Sequence, residues 1–423
     1  MKKPNILVIV GDDMGYGDIG VHGCKDIPTP HIDSIAKNGI RFTNGYVSGP
    51  YCSPTRAGLL TGRYQTRFGH EFNPGPQPKD EFGLSLKETT LAQCLRQLGY
   101  ATGLVGKWHL GSSAKFHPLE RGFQSFFGFL GGAHPYVAGK GAPIFRDRDA
   151  VDEQDYLTDA FRREAVGFID KHKSEPFFLY LAFNAVHTPL QAEEKYLKKF
   201  TGIQNEKRRK YAAMMNAMDD AIGAVLAKLR EAGLEENTLV FFISDNGGPE
   251  GVNGSDNGPF RGVKATTWEG GIRVPWLLQW KGRIPGGKTY DAPVIQLDIL
   301  PTAIAAAGGV IGADAKLDGA NLIPFLEEKR TGVPHEALFW RFGAQTAIRM
   351  GDWSLVEATG SKGKLLFNLR DDPGQTKDLS TNHPDRVRML QVAWDTWNRD
   401  NVPATWKPGA AKAKKKAPKT GNE

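Results

Sequence analysis

Cysteine is scarce in this chain: three in 423 residues, at Cys24, Cys52 and Cys94. Three isolated thiols exclude a disulfide framework, and without CxxC spacing or a Cys/His cluster there is no structural zinc site. Long apolar runs are missing as well. No stretch reaches the ~20 residues that cross a bilayer. The run Ile6 to Val10, behind Met1-Lys2-Lys3, is too short for a signal-peptide core and meets two aspartates almost at once. It reads as a first strand. Charge of one sign is also lacking. The 54 Lys and Arg nearly balance 47 Asp and Glu, and four of the seven net positive charges fall in Gly409 to Glu423, where five lysines face one glutamate. The remaining body, at about +3, carries no basic stripe of the kind nucleic acid requires. The Ala/Lys/Pro segment 409–423 is expected to be a solvated, disordered tail. No internal repeat is present.

What is there is an ordinary globular composition, 40% hydrophobic and 24% charged, with 50 Gly and 26 Pro spread along the chain. The length favours two unequal units. Apolar runs at Asn5 to Val10, Thr102 to Val105, Pro176 to Phe183, Thr238 to Ser244 and Val274 to Trp280 read as buried strands. Between them, Thr90 to Leu98 and Tyr211 to Leu229 have helical spacing, stopped by Gly99 and Gly233. This alternation predicts an α/β fold with a large, mostly parallel sheet sandwiched by helices over residues 1–325. From 326 to 408 the texture changes to short strands, Leu338 to Phe342, Gln345 to Met350, Trp353 to Glu357 and Lys364 to Leu369. A small antiparallel sheet is expected there, covered by a helix from Pro384 to Arg399 through Val387, Leu390, Trp394 and Trp397.

The chemistry concentrates at Cys52-Ser53-Pro54-Thr55-Arg56, continuing to Leu60-Thr61-Gly62-Arg63. Pro54 suits a helix start, Ser53 a cap and Gly62 a stop, so Cys52 is placed at the positive mouth of a short helix. A thiol there is expected to have a lowered pKa, with Arg56 adding a bidentate fork for an oxyanion. Two strands end in carboxylates: Asp12-Asp13 after the first, Asp245-Asn246 after Thr238 to Ser244. Strand exits of an open α/β sheet border one crevice, and this set of hard oxygen donors suits Ca²⁺ ahead of Mg²⁺. Turn chemistry is the competing reading of either pair alone. Lys107 and His109 follow Thr102 to Val105 and share one side of an extended chain. His187 leaves the strand Pro176 to Phe183, and Lys264 sits in a Gly-rich loop beyond Asp245. Phe126 to Phe129, His134-Pro135-Tyr136 and Arg341-Phe342 fit either a sugar subsite or simple packing.

These motifs, in this order, resemble the formylglycine-dependent sulfatases of the alkaline-phosphatase-like superfamily. The match includes Pro4-Asn5-Ile6-Leu7 into Asp12 to Asp18, Cys52 to Tyr64, Gly99 to Gly111, Ser244 to Gly247, and Leu366 to Leu369 with Asp372-Pro373. Thr55 stands where many members have Ser. The resemblance implies that a maturation enzyme oxidises Cys52 to formylglycine, whose hydrate has one hydroxyl to attack sulfur and a second to expel sulfate. It implies that Asp12, Asp13, Asp245, Asn246 and modified Cys52 surround Ca²⁺. It assigns Arg56, Lys107 and Lys264 to the sulfate oxygens, His187 to the leaving alcohol and His109 to the second hydroxyl. The implied substrates are sulfated carbohydrates or aryl sulfates, and the implied location is the periplasm or the exterior. Two alternatives stay open: a phosphodiesterase or phosphonate hydrolase of the same superfamily, and a non-catalytic binder of sulfated glycans.

Overall fold

A computed structural model describes residues 2–74, 82–139, 141–312 and 315–407. The tail expected over 409–423 lies outside the described residues. Four parallel strands form the centre of a ten-stranded sheet: β1 (Asn5–Gly11), β4 (Ala101–Lys107), β8 (Phe177–Ala182) and β9 (Thr238–Ser244), numbered in chain order. They lie side by side as β4, β8, β1, β9, with Val8 of β1 opposite Tyr180 of β8 and Phe241 of β9. Beyond β4 come β5 (Ser125–Phe129), β6 (Ile144–Arg146) and β7 (Asp149–Val151). Beyond β9 come β10 (Trp276–Gln279), β2 (Ile40–Phe42) and β11 (Lys288–Tyr290). A separate pair joins β3 (Gly45–Tyr46) to β12 (Val294–Ile295).

The central strands read as continuous apolar runs because both faces are covered. In β1, Leu7 and Ile9 enter one core with the helices Leu157–His172 and Glu206–Glu231. Ile6, Val8 and Val10 enter the opposite core with the helices Cys52–Thr61, Leu91–Gln97 and Ile299–Ala306. Period-two alternation sends successive side chains to opposite faces, so a strand buried twice has no polar side. The structure adds two details. Val274 to Trp280 contributes a strand, but β10 runs antiparallel to both β9 and β2, so the sheet is mixed while remaining mostly parallel. Of the two readings of Phe126 to Phe129, the structure selects packing: Phe126, Phe127 and Phe129 belong to β5 and are core.

The C-terminal sheet has β13 (Ala337–Phe342), β14 (Gln345–Met350), β15 (Trp353–Glu357) and β16 (Leu365–Asn368), antiparallel throughout. The helix Pro384–Asn398 covers it with Leu390, Trp394 and Trp397. Its inner face is pinned to the larger sheet's side by Trp340, whose indole N–H donates to Val47 O at 2.7 Å, and by Arg349, whose Nη1 reaches Asn44 Oδ1 at 2.5 Å.

Candidate active site

The four central strands end together, and their exits carry the polar residues singled out in the sequence. Asp12 and Asp13 follow β1, Lys107 ends β4, Asp245 and Asn246 follow β9, and His187 lies in the turn after β8. Asp13 takes a left-handed backbone conformation, φ 63°, rare for a residue with a Cβ and maintained here by surrounding bonds. Its N–H donates to Asp245 Oδ1 at 3.2 Å, and Asn253 Nδ2 donates to its carbonyl at 3.0 Å.

The helix Cys52–Thr61 brings Cys52 into this crevice and ends, as expected, at Gly62 with φ 66°. Cys52 Sγ lies 3.7 Å from Asp12 Oδ1 and accepts from Lys264 Nζ at 3.2 Å. The thiol is 1% exposed. Burial pushes its pKa up to about 12, outweighing the opposing pull of Lys107 and Lys264. This corrects the expectation of a lowered pKa, because a helix mouth favours a thiolate only where water or a free cation also reaches it. Ser53 does not cap the helix either: the cap position is Tyr51, with no side-chain bond. Ser53 Oγ instead donates to His109 O at 2.6 Å and lies 2.6 Å from His70 Nε2. The sequence reading missed this pairing, since no spacing connects residues 53, 70 and 109.

Each carboxylate meets a cation, and Arg56 reaches two of them, its Nη2 also lying 3.7 Å from Asp12 Oδ2. Lys107 Nζ meets Asp12 Oδ2 at 2.5 Å, Arg56 Nη2 and Nε meet Asp245 Oδ2 at 2.8 and 3.0 Å, and Lys264 Nζ meets Asp13 Oδ1 at 2.6 Å. The fork of Arg56 is therefore engaged by Asp245, and its Nη1 by Lys107 O at 3.3 Å. Burial and the neighbouring Asp245 charge raise the Asp12 pKa. Burial acts the same way on Asp245, but Arg56, Lys107 and Lys264 together hold it below the usual carboxylate range. His109, buried and facing Lys107 and Arg56, has its pKa well below that of a free imidazole and stays neutral. His187 Nδ1 bonds Thr188 O at 2.6 Å, which directs Nε2 toward Asp13 Oδ2, 3.6 Å away.

Among the described residues, a ligand oxygen in the crevice is without a hydrogen-bond partner. Asn246 Nδ2 donates to Asp13 Oδ1 at 2.8 Å, while its Oδ1 is buried without a hydrogen-bond partner. A buried amide oxygen left unpaired is costly, and beside three carboxylates it completes a set of hard ligands. Ligand atoms of Asp12, Asp13, Cys52 and His187 lie within 4.8 Å of one another. The oxygen donors of this buried cluster fit a hard divalent cation.

A family model of sulfatases matches residues 4–310. The chain belongs to the sulfatase family. This sulfatase is 36% identical to the human (Homo sapiens) N-acetylgalactosamine-6-sulfatase, over 90% of this chain and 82% of that one. It is 32% identical to mouse (Mus musculus) arylsulfatase J, over 96% and 78%. The crystal structure of Ps i-CgsB superposes with a TM-score of 0.92 at 36% identity, covering 97% of this chain and 96% of that one, and a second structure of it holds k-i-k-neocarrahexaose. The enzyme is a sulfuric ester hydrolase, and the family implies a metal ion and a formylglycine made from cysteine.

Proposed function

We propose that this sulfatase removes sulfate from a sulfated saccharide, with aryl sulfates as simpler substrates, at the crevice around Cys52. The observation that carries the assignment is the convergence on one buried cysteine of three carboxylates, an unpaired amide oxygen and two lysines. Asp12, Asp13, Asp245 and Asn246 would hold Ca²⁺, and a formylglycine at position 52, made by a separate maturation enzyme, would provide the hydrated aldehyde as nucleophile. Bound Ca²⁺ supplies Lewis acidity toward a sulfate oxygen and lowers the pKa of a hydroxyl beside it.

The chain's own residues supply the rest. Without metal, three carboxylates face three cations, so the cluster is formally neutral. A dication shifts that balance by two positive charges, which favours a sulfate ester. Lys107 and Lys264, then drawn less strongly by the carboxylates, hold sulfate oxygens and stabilise the charge that builds on transfer. Arg56 keeps Asp245 ionised and in place. His187, with Nδ1 fixed by Thr188 O, presents Nε2 to the leaving oxygen and gives it a proton. His109, kept neutral by burial and its cationic neighbours, takes the proton whose loss releases sulfate.

The saccharide assignment draws on the relatives: one is named for N-acetylgalactosamine, another was crystallised with a neocarrahexaose. Its test is release of inorganic sulfate from a panel of N-acetylgalactosamine 6-sulfate, carrageenan oligosaccharides, sulfated fucose and 4-nitrophenyl sulfate, beside an aryl phosphodiester. A saccharide is expected to give the highest kcat/KM. Faster cleavage of the phosphodiester would replace this reading with the superfamily's other activity.

A further inference from the structure

The tip of the C-terminal sheet reaches the mouth of the crevice. The turn between β13 and β14 puts Phe342 against Tyr51, the residue before Cys52, with ring centroids 5.6 Å apart at 52°. Phe72 backs Phe342 at 5.1 Å and is buried, whereas Tyr51 and Phe342 are only partly buried. Lys264 ties this aromatic pair to the reacting centre: its Nζ is 5.3 Å from the Tyr51 ring centroid and 3.2 Å from Cys52 Sγ.

The pair is held from both sides. Glu71 accepts from Arg341 Nε and Nη2 at 3.0 and 2.8 Å through one oxygen, and from Gly343 N at 2.7 Å through the other. Across the tip, Gln345 Nε2 donates to Ala265 O at 2.9 Å, and Ala265 N–H donates to Pro50 O at 2.8 Å. The hairpin thus joins the Lys264 loop to the segment carrying Tyr51. Two apolar rings kept partly open to water beside a charged pocket are poorly explained by packing, which would bury them as it buries Phe72.

We propose that Tyr51 and Phe342 form the wall on which the sugar ring of the substrate stacks, making the C-terminal sheet part of the saccharide site. This rests on the reading of the Cys52–Lys264 region as the sulfate pocket. A sulfate seated there brings its sugar to the Tyr51 side. A pyranose has a face rich in C–H groups and a rim of hydroxyls, which matches a flat aromatic surface edged by polar groups. The wall selects for a ring with an open C–H face and contributes nothing to a bare sulfate ion.

The test uses Tyr51→Ala and Phe342→Ala in the full-length, metal-loaded protein, with rates normalised to the formylglycine content of each variant by peptide mass spectrometry. Probes are N-acetylgalactosamine 6-sulfate, a carrageenan oligosaccharide and inorganic sulfate as competing product. Both variants are expected to raise saccharide KM tenfold or more. Phe342→Ala, far in sequence from the cysteine signature, is expected to leave the inhibition constant of inorganic sulfate within twofold and the melting temperature unchanged. An unmoved saccharide KM would overturn the wall while leaving the saccharide reading intact. Parallel loss of sulfate inhibition in Phe342→Ala would overturn it in favour of a structural role. Wild-type turnover on 4-nitrophenyl sulfate alone would refute the saccharide reading and the wall together.

Discussion

Lys107 carries its charge at a fully buried position because Asp12 meets it at 2.5 Å. Its neighbour Gly106 brings the β4 backbone close to β8, so the lysine leaves the strand pointing into the crevice. Lys107→Ala in the metal-loaded enzyme should cost about 3 kcal/mol of transition-state stabilisation, on the order of a hundredfold in kcat. A fall below tenfold, with formylglycine content and melting unchanged, would remove Lys107 from the transfer step. Metal removal makes a second prediction at this scale. Because every carboxylate finds a cation without metal, chelation should abolish turnover while leaving the protein folded, and Ca²⁺ should restore rate better than Mg²⁺. Unfolding on chelation, seen by circular dichroism, would contradict this balance of charges. Residue identities were largely legible in the sequence, since Asp12, Asp13, Asp245, Asn246 and Lys107 all stand at strand exits. Their partners were not. That Arg56 serves Asp245, and that Ser53 supports His109, depends on chain segments brought together only by folding.

At the scale of elements, glycines let the strands approach closely beside the site. Gly106 in β4 has φ 119°, and a Cβ there would lie 1.9 Å from Ala182 O of β8. Gly128 of β5 repeats the arrangement against Gly106 O, with φ 151°. A backbone carbonyl cannot rotate away as a side chain can, so Gly106→Ala must push β4 from β8 and displace Lys107 with it. The expected cost is at least ~2 kcal/mol, accompanied by loss of activity; a melting temperature within 1 °C of wild type would argue against it. The sequence showed the central strands because double burial writes them as apolar runs. It did not show the direction of β10, since an apolar run looks the same in parallel and antiparallel pairing. It concealed β5 for a related reason: its aromatics have no period that separates strand from loop.

Across the whole molecule, the C-terminal segment is fastened to the large-sheet side by polar contacts as well as by Trp340. One of these is an ion pair with a histidine. His335 Nε2 lies 2.7 Å from Asp298 Oδ1, and although burial disfavours the imidazolium, the Asp298 charge raises the His335 pKa above its ordinary value. A histidine whose folded pKa is raised stabilises the fold fully below its unfolded pKa of about 6.5 and loses that contribution as pH rises through the folded value. Wild type should therefore exceed His335→Gln in melting temperature by more at pH 5.5 than at pH 9. An equal difference at both would show that the pair does not act through charge. Nothing in the sequence linked residues 298 and 335, whereas the four C-terminal strands and their covering helix were evident from alternation and turn residues.

The carboxylates, lysines and strand exits of the crevice converge on one buried cysteine, Cys52. The most direct measurement is the initial rate of sulfate release from a sulfated saccharide, taken over preparations that differ in the fraction of Cys52 converted to formylglycine. The rate should rise in proportion to that fraction and extrapolate to zero for the unconverted thiol. Turnover by fully unconverted protein, or by Cys52→Ala, would contradict the account.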